Sequence, residues 1–190
     1  MKLLIASNNK HKVAEIKKIL SGKFDEIYSL AECGIDADPK ETASDFLGNA
    51  RIKAREIARH TDLAVVADDS GLEVEALDGA PGVYSARYAG EPCSDERNND
   101  KLLREMATIT DRRARFVTCM VLRFPSGREM VGVGEVKGEI LTERKGRNGF
   151  GYDPLFYSYE LGKSFGEATD DEKNAVSHRA RALSDLMRQL

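Results

Sequence analysis

Two short runs leave this chain few choices of fold. "KLLIA" (2–6) and "LAVVA" (63–67) are apolar at nearly every position. A strand that is apolar on both faces must be covered on both faces, which happens in sheets flanked by helices. The residues after the first run fit that arrangement. "HKVAEIKKIL" (11–20) places Val13, Ile16, Ile19 and Leu20 on one helical face. Phe46, Ala50, Ala54 and Ile57 form a second helical stripe. The second run is bounded by Asp68, Asp69 and Gly71, where a strand is expected to end.

Further along, "GLEVEAL" alternates and Asp78-Gly79 signals a turn. Ser94 is placed to cap a helix running to about Met106. "RFVTCMVLRF" (115–124), "PSG" and "REMVGVGEV" (128–136) read as a long hairpin. Thr169 and Glu172 have capping-box spacing and open a C-terminal helix. Val176, Ala180, Leu183, Met187 and Leu190 line its apolar side. Buried strands alternating with helices, then a hairpin, specify an α/β fold with a mixed sheet.

The 190 residues fit a single domain, 1–190, able to bury a real core. A net charge of −3 argues against a surface that tracks nucleic acid, but leaves room for a local basic pocket around a small phosphorylated ligand. Cys33, Cys93 and Cys119 lack metal-ligand spacing, which suggests reduced thiols. The start "MKLLIASNNK" is too short in apolar length for a signal segment, and no run has the ~18 apolar residues of a membrane span. Cytoplasm is the expected location.

Five stretches carry possible chemistry. In "IASNNKHK" (5–12), Lys10, His11 and Lys12 stand where a helix start prefers acids, so an anion such as phosphate is expected to neutralise them. A solvated lysine pair is the plainer alternative. Asp68 and Asp69 in "DDSG" suit a Mg²⁺ ion, or one of them a general base; a polar capping turn would look the same. Glu41 and Asp45, four apart, share a face if the helix begins that early, and could complete a metal site with Asp69; acids favoured by the dipole at a helix N-terminus would look the same. "ERKGRNGFGYDPLF" (143–156) combines glycines, basic residues and aromatics that could approach and stack on a base, or pack inward. In "DEKNAVSHRARAL" (171–183), Lys173 and Ser177 share a helix face and His178 and Arg179 follow, with arginine suited to phosphate or a keto oxygen.

Together these are the parts of a nucleotide site. "SNNKHKVAEI", "ADDSGLEVEALDGAPGVYSARYAG", "GFGYDPLF" and "SHRARAL" resemble the inosine triphosphate pyrophosphatase family, which hydrolyses noncanonical purine nucleoside triphosphates. The likeness runs from Leu4 to the C-terminal helix. It implies an elongated mixed sheet with flanking helices, two lobes around a central cleft, a homodimer and Mg²⁺. It implies hydrolysis of ITP, dITP and XTP to the monophosphate and pyrophosphate.

By the same resemblance, Ser7, Asn8, Asn9, Lys10 and Lys12 fall on the phosphate-binding turn, and His11 lies among them. Asp69 falls on the proton acceptor and metal ligand, and Ser70 on a substrate contact. Phe150, Gly151, Tyr152 and Asp153 fall on the nucleotide loop, and Lys173, His178 and Arg179 on C-terminal substrate contacts. One position departs from the pattern. The family's usual Glu in "ENA" is Gly48 here, so the expected metal ligands are Glu41, Asp68 and Asp69; "ETG" is "ETA" at 41–43. A sensor that binds nucleotides without turnover, or a pyrophosphatase for other modified nucleotides, is the alternative function.

Overall fold

The structure is a computed structural model describing residues 1–190. Seven strands form one mixed sheet: β1 (Lys2–Ile5), β2 (Glu26–Ser29), β3 (Ala64–Val74), β4 (Arg113–Arg123), β5 (Glu129–Ile140), β6 (Phe156–Ser158) and β7 (Lys163–Ser164). Their order is β2-β1-β3-β4-β5-β6-β7. β1 runs parallel to β2 and β3, while β6 runs antiparallel to β5 and β7. Five α-helices accompany them: α1 (Lys10–Ile19), α2 (Phe46–Ile57), α3 (Asp95–Glu105), α4 (Asp170–Val176) and α5 (His178–Met187).

Contacts divide the chain into two compact units. The first comprises Met1–Asp69, Thr118–Gly134 and Arg179–Leu190; the second comprises Ser70–Val117 and Glu135–His178. The first unit shows why its two apolar runs are apolar throughout. Successive strand residues point to opposite faces. Leu3, Ile5, Ala64 and Val66 join one core with Ile16 of α1, Leu20 at its C-terminal end, and Ala182, Leu183 and Leu186 of α5. Leu4, Val65 and Ala67 join the other, with Ala50, Ala54 and Ile57 of α2. Each face is therefore closed by the helices whose apolar stripes the sequence displays.

The second unit has one core. Leu72 and Val74, Ala114 and Phe116, and Val136 and Ile140 enter it at alternate strand positions, against Leu102 of α3 and Met106 at its C-terminal end. Gly138 in β5 keeps this alternation open: a Cβ there would lie 2.7 Å from the Phe156 ring.

Two expectations change. The acids at 68 and 69 do not follow β3 but lie inside it, because the strand continues to Val74. Asp68 and Asp69 are only 1% and 5% exposed, so they are strand residues whose charge is met by neighbours rather than by water. The single C-terminal helix is two helices. Ser177 is extended (ψ 153°) and breaks them apart, and Leu190 is exposed rather than part of an apolar face. The capping box of Thr169 and Glu172 is present as the spacing predicts, and Ser94 accepts from the Arg97 N–H to cap α3.

Candidate active site

In the first unit, β1 ends in a polar turn that leads into α1. Asn9 caps the helix, its side-chain oxygen accepting the His11 and Lys12 N–H groups at 3.0 and 3.2 Å. Ser7 accepts the Asn9 N–H, and Asn8 donates to the Ala37 carbonyl. The turn's backbone donors are thus partly used by its own side chains, while Lys10 and His11 are exposed. Lys12 does not wait for an external anion: its Nζ is 2.9 Å from Asp68 Oδ2. Burial lowers the Lys12 amine, and Asp68 opposes that.

Asp68 has a second cation. Arg179, at the start of α5 and 1% exposed, approaches Asp68 Oδ2 at 3.5 Å and also pairs with Glu15 of α1. Burial opposes ionisation of Asp68, but Lys12, Arg179 and Lys53 together outweigh it and hold the carboxyl well below the usual carboxylate range. Arg179 is likewise opposed by burial, yet Asp68 and Glu15 leave it more firmly protonated than a free arginine.

Asp69 is held differently. Lys53 Nζ donates to its Oδ1 at 3.1 Å and to Glu41 Oε1 at 3.0 Å. The Asn49 amide donates to its Oδ2 at 3.2 Å. Burial raises the Asp69 carboxyl; Glu41 adds to this, Lys53 works against it, and the net direction is upward. Two neighbouring carboxyls in one strand are thereby pushed apart, one firmly ionised and the other readier to take a proton.

Glu41 and Asp69 already embrace one cation, the Lys53 ammonium. No group of three or more His, Cys, Asp or Glu side chains converges as a ready metal cage. Glu41 and Asp69 are hard oxygen donors of the kind that could hold a divalent cation such as Mg²⁺. Asp68, tied to Lys12 and Arg179, is the poorest ligand of the three acids expected from the sequence. Asp45 caps α2 instead, accepting the Gly48 N–H at 2.7 Å.

In the second unit, the loop at 149–153 closes on Asp153. The Phe150 N–H donates to Asp153 Oδ2 at 3.0 Å, and a side chain on Gly149 (φ 75°) would collide with that carboxylate. Gly151 is pinned to α3, donating to Asp95 at 2.7 Å and accepting from Asn99 at 2.9 Å. Tyr152 turns inward and donates its hydroxyl to the Ser85 carbonyl at 2.7 Å.

Lys173 is 4% exposed and lies 2.7 Å from Asp153 Oδ2, with its Nζ 4.7 Å from the Phe150 ring centroid and 5.7 Å from that of Phe165. His178 stacks on Phe116 at 4.8 Å and 12°, and Phe116 lies parallel to Phe165 at 6.0 Å. Ser70, half-buried, is the first residue of this unit.

The structure therefore brings Lys12, Asp68 and Arg179 together, and separately Glu41 and Asp69. It brings Phe150, Asp153 and Lys173 together. Sequence reasoning missed Lys53, Asn49, Glu15 and Phe116. A signal existed for two of them: Asn49 and Lys53 immediately precede Ala50 and Ala54 of the α2 stripe, at the border of its buried face.

The chain resembles known proteins along nearly its whole length. The sequence pattern described as the Ham1 family matches residues 3–189. The chain is 49% identical over 193 residues to a dITP/XTP pyrophosphatase of Clostridium perfringens, covering 97% of this chain and 95% of that one. It is 47% identical over 193 residues to a dITP/XTP pyrophosphatase of Haemophilus influenzae, covering 100% and 98%. Among solved structures, the Staphylococcus aureus Ham1 protein matches with a TM-score of 0.88 at 43% identity, covering 100% of this chain and 97% of that one.

Proposed function

This chain belongs to the Ham1 family, and from that premise we propose that it hydrolyses ITP, dITP and XTP to the nucleoside monophosphate and pyrophosphate. The observation that carries the reading is the pair of adjacent strand acids held by different partners. Asp68 is fixed as an anion between Lys12 and Arg179, while Asp69 is raised by burial and held by Lys53 and Asn49.

In this reading Asp69 takes the proton from the water that attacks the α-phosphorus, and pyrophosphate leaves. A raised carboxyl accepts a proton more readily than an exposed aspartate. Ser7, Asn8, Asn9, Lys10 and His11 meet the phosphates at the start of α1. Lys12 contributes positive charge whose place is set by Asp68. Arg179 fixes Asp68 and α1 through its two acids. Glu41 and Asp69 would hold Mg²⁺, which neutralises charge on the phosphates.

Base selection is assigned to the second unit: Ser70, Phe150, Gly151, Asp153, Lys173 and His178, with Tyr152 anchoring the loop from below. A keto oxygen accepts a hydrogen bond where adenine's amino group offers further donors. Donors left unpaired against an amino group cost about 1–3 kcal/mol each. The reading includes a homodimer acting on the cytoplasmic nucleotide pool; a monomer throughout a sedimentation series would remove the dimer from it. No helix is long and apolar enough to cross a membrane.

The test is a panel of ITP, dITP, XTP, GTP and ATP with Mg²⁺, reading both products. IMP and pyrophosphate from ITP, with ATP and GTP used poorly, are expected. IDP and orthophosphate would reject the reaction; tight binding of ITP without turnover would turn the chain into a sensor.

A further inference from the structure

We propose that Asn49 is a positioning residue that fixes the Asp69 carboxylate and the Glu41 segment in one frame, with Gly48 leaving the room this requires. The proposal rests on the reading of Asp69 as the proton acceptor and adds what holds it in place. Asn49 is 1% exposed, in the first turn of α2. Its side-chain oxygen accepts the Ala43 N–H at 2.9 Å, and its nitrogen donates to Asp69 Oδ2 at 3.2 Å. A backbone N–H can only donate, and an ionised carboxylate can only accept. The two partners therefore fix which way the amide faces.

The two oxygens of Asp69 are thus taken by two residues of one helix face, Asn49 on Oδ2 and Lys53 on Oδ1. Lys53 reaches on a four-carbon stem with many rotamers. Asn49 is short, buried and bonded at both ends, so it sets the plane of the carboxylate while Lys53 sets its charge environment. The same amide ties down the segment that carries Glu41, two residues before Ala43.

That segment is also seated by shape. The Ala43 methyl lies over Gly48, and a Cβ at 48 would stand 2.5 Å from it. Contacts that close are essentially never tolerated, and the atom in the way is attached directly to the backbone. Any side chain at 48 must push Ala43 aside, and with it the amide bond to Asn49 and the position of Glu41. The glycine is therefore matched to the alanine. Gly48→Glu made alone would not simply supply another carboxylate, because it would first displace the segment that already provides one.

The test uses the full chain with ITP and Mg²⁺, with circular dichroism and Tm for each variant. Asn49→Ala is expected to lose about tenfold or more in kcat with KM changed less than about threefold, since a small misplacement of a catalytic group costs rate rather than affinity. A lower Tm with parental kcat would make Asn49 merely structural and overturn the proposal. Gly48→Ala leaves Asn49 in place, so it tests the frame if Asn49→Ala does not fold. It should also lose kcat, and Ala43→Gly combined with Gly48→Ala should recover most of the loss. A double variant no better than Gly48→Ala would contradict the matched pair. Asp69→Asn separates the two ideas: an active Asp69→Asn would end the reading of Asp69 itself, whereas an inactive one beside a fully active Asn49→Ala would end only the positioning role.

Discussion

The two units of this chain bury charge in different ways. The first holds Asp68 against Lys12 and Arg179, with Glu15 behind the arginine. Close by in the chain, Asp69 and Glu41 share Lys53. The second holds one buried pair, Lys173 with Asp153, and surrounds it with the rings of Phe150 and Phe165. His178 and Arg179 are adjacent in sequence yet belong to these different settings, one stacked on Phe116 and the other bound to two acids. A charge network of this density suits phosphate chemistry, while rings with a single pair suit a flat, weakly charged base. The break at Ser177 falls just before His178 and Arg179.

The largest effect is expected where removing one partner strands the most charge. Arg179→Ala leaves Asp68 and Glu15 without their shared cation. Breaking such a buried network costs about 3–5 kcal/mol, so a lowered Tm and earlier denaturant midpoint are expected before any question of base selection arises. A variant as stable as the parent would show that Lys12 and Lys53 neutralise Asp68 without it, and the contrast between the units would weaken.

Asp69→Asn comes next. The substitution keeps the shape and removes the proton acceptor, and kcat should fall by ~10²-fold or more, about 2.7 kcal/mol, in a folded protein. Near-parental turnover would move the role away from Asp69, with Asp68 the next residue to test.

The smallest effect on activity belongs to the second unit, where removing Lys173 also strands the buried Asp153 and should lower Tm. Lys173→Met keeps the length that packs over Phe150 and Phe165, and Asp153 retains the Phe150 N–H. The ratio of kcat/KM for ITP over ATP is expected to fall by about threefold or more, within the range that one polar contact supplies. Equal losses on both substrates would take base selection away from this residue.

Much of the fold was legible because burial on two faces leaves a plain mark. The runs at 2–6 and 63–67, the stripes of α1 and α2, the hairpin and both caps follow from period and chemistry alone. The acids at 68 and 69 misled because charged residues ordinarily end a strand. Here the cations that let β3 continue come from α1, α2 and α5, far away in sequence, and no local pattern announces them. Ser177 misled for a related reason: serine is tolerated in helices, so no local pattern announces that α4 ends there. Lys12 was legible as a cation needing an anion, but the anion proved to be Asp68. Asn49 and Lys53 were hidden at the edge of an apolar stripe, where a polar residue usually means no more than solvent.

The proposed reaction delivers water to the α-phosphorus of a noncanonical purine triphosphate. Hydrolysis of ITP with Mg²⁺ in ¹⁸O-water, followed by mass analysis of both products, tests it directly. One ¹⁸O atom is expected in the IMP phosphate and none in the pyrophosphate. Label in the pyrophosphate, or release of labelled orthophosphate with IDP, would place the attack on another phosphorus and contradict it.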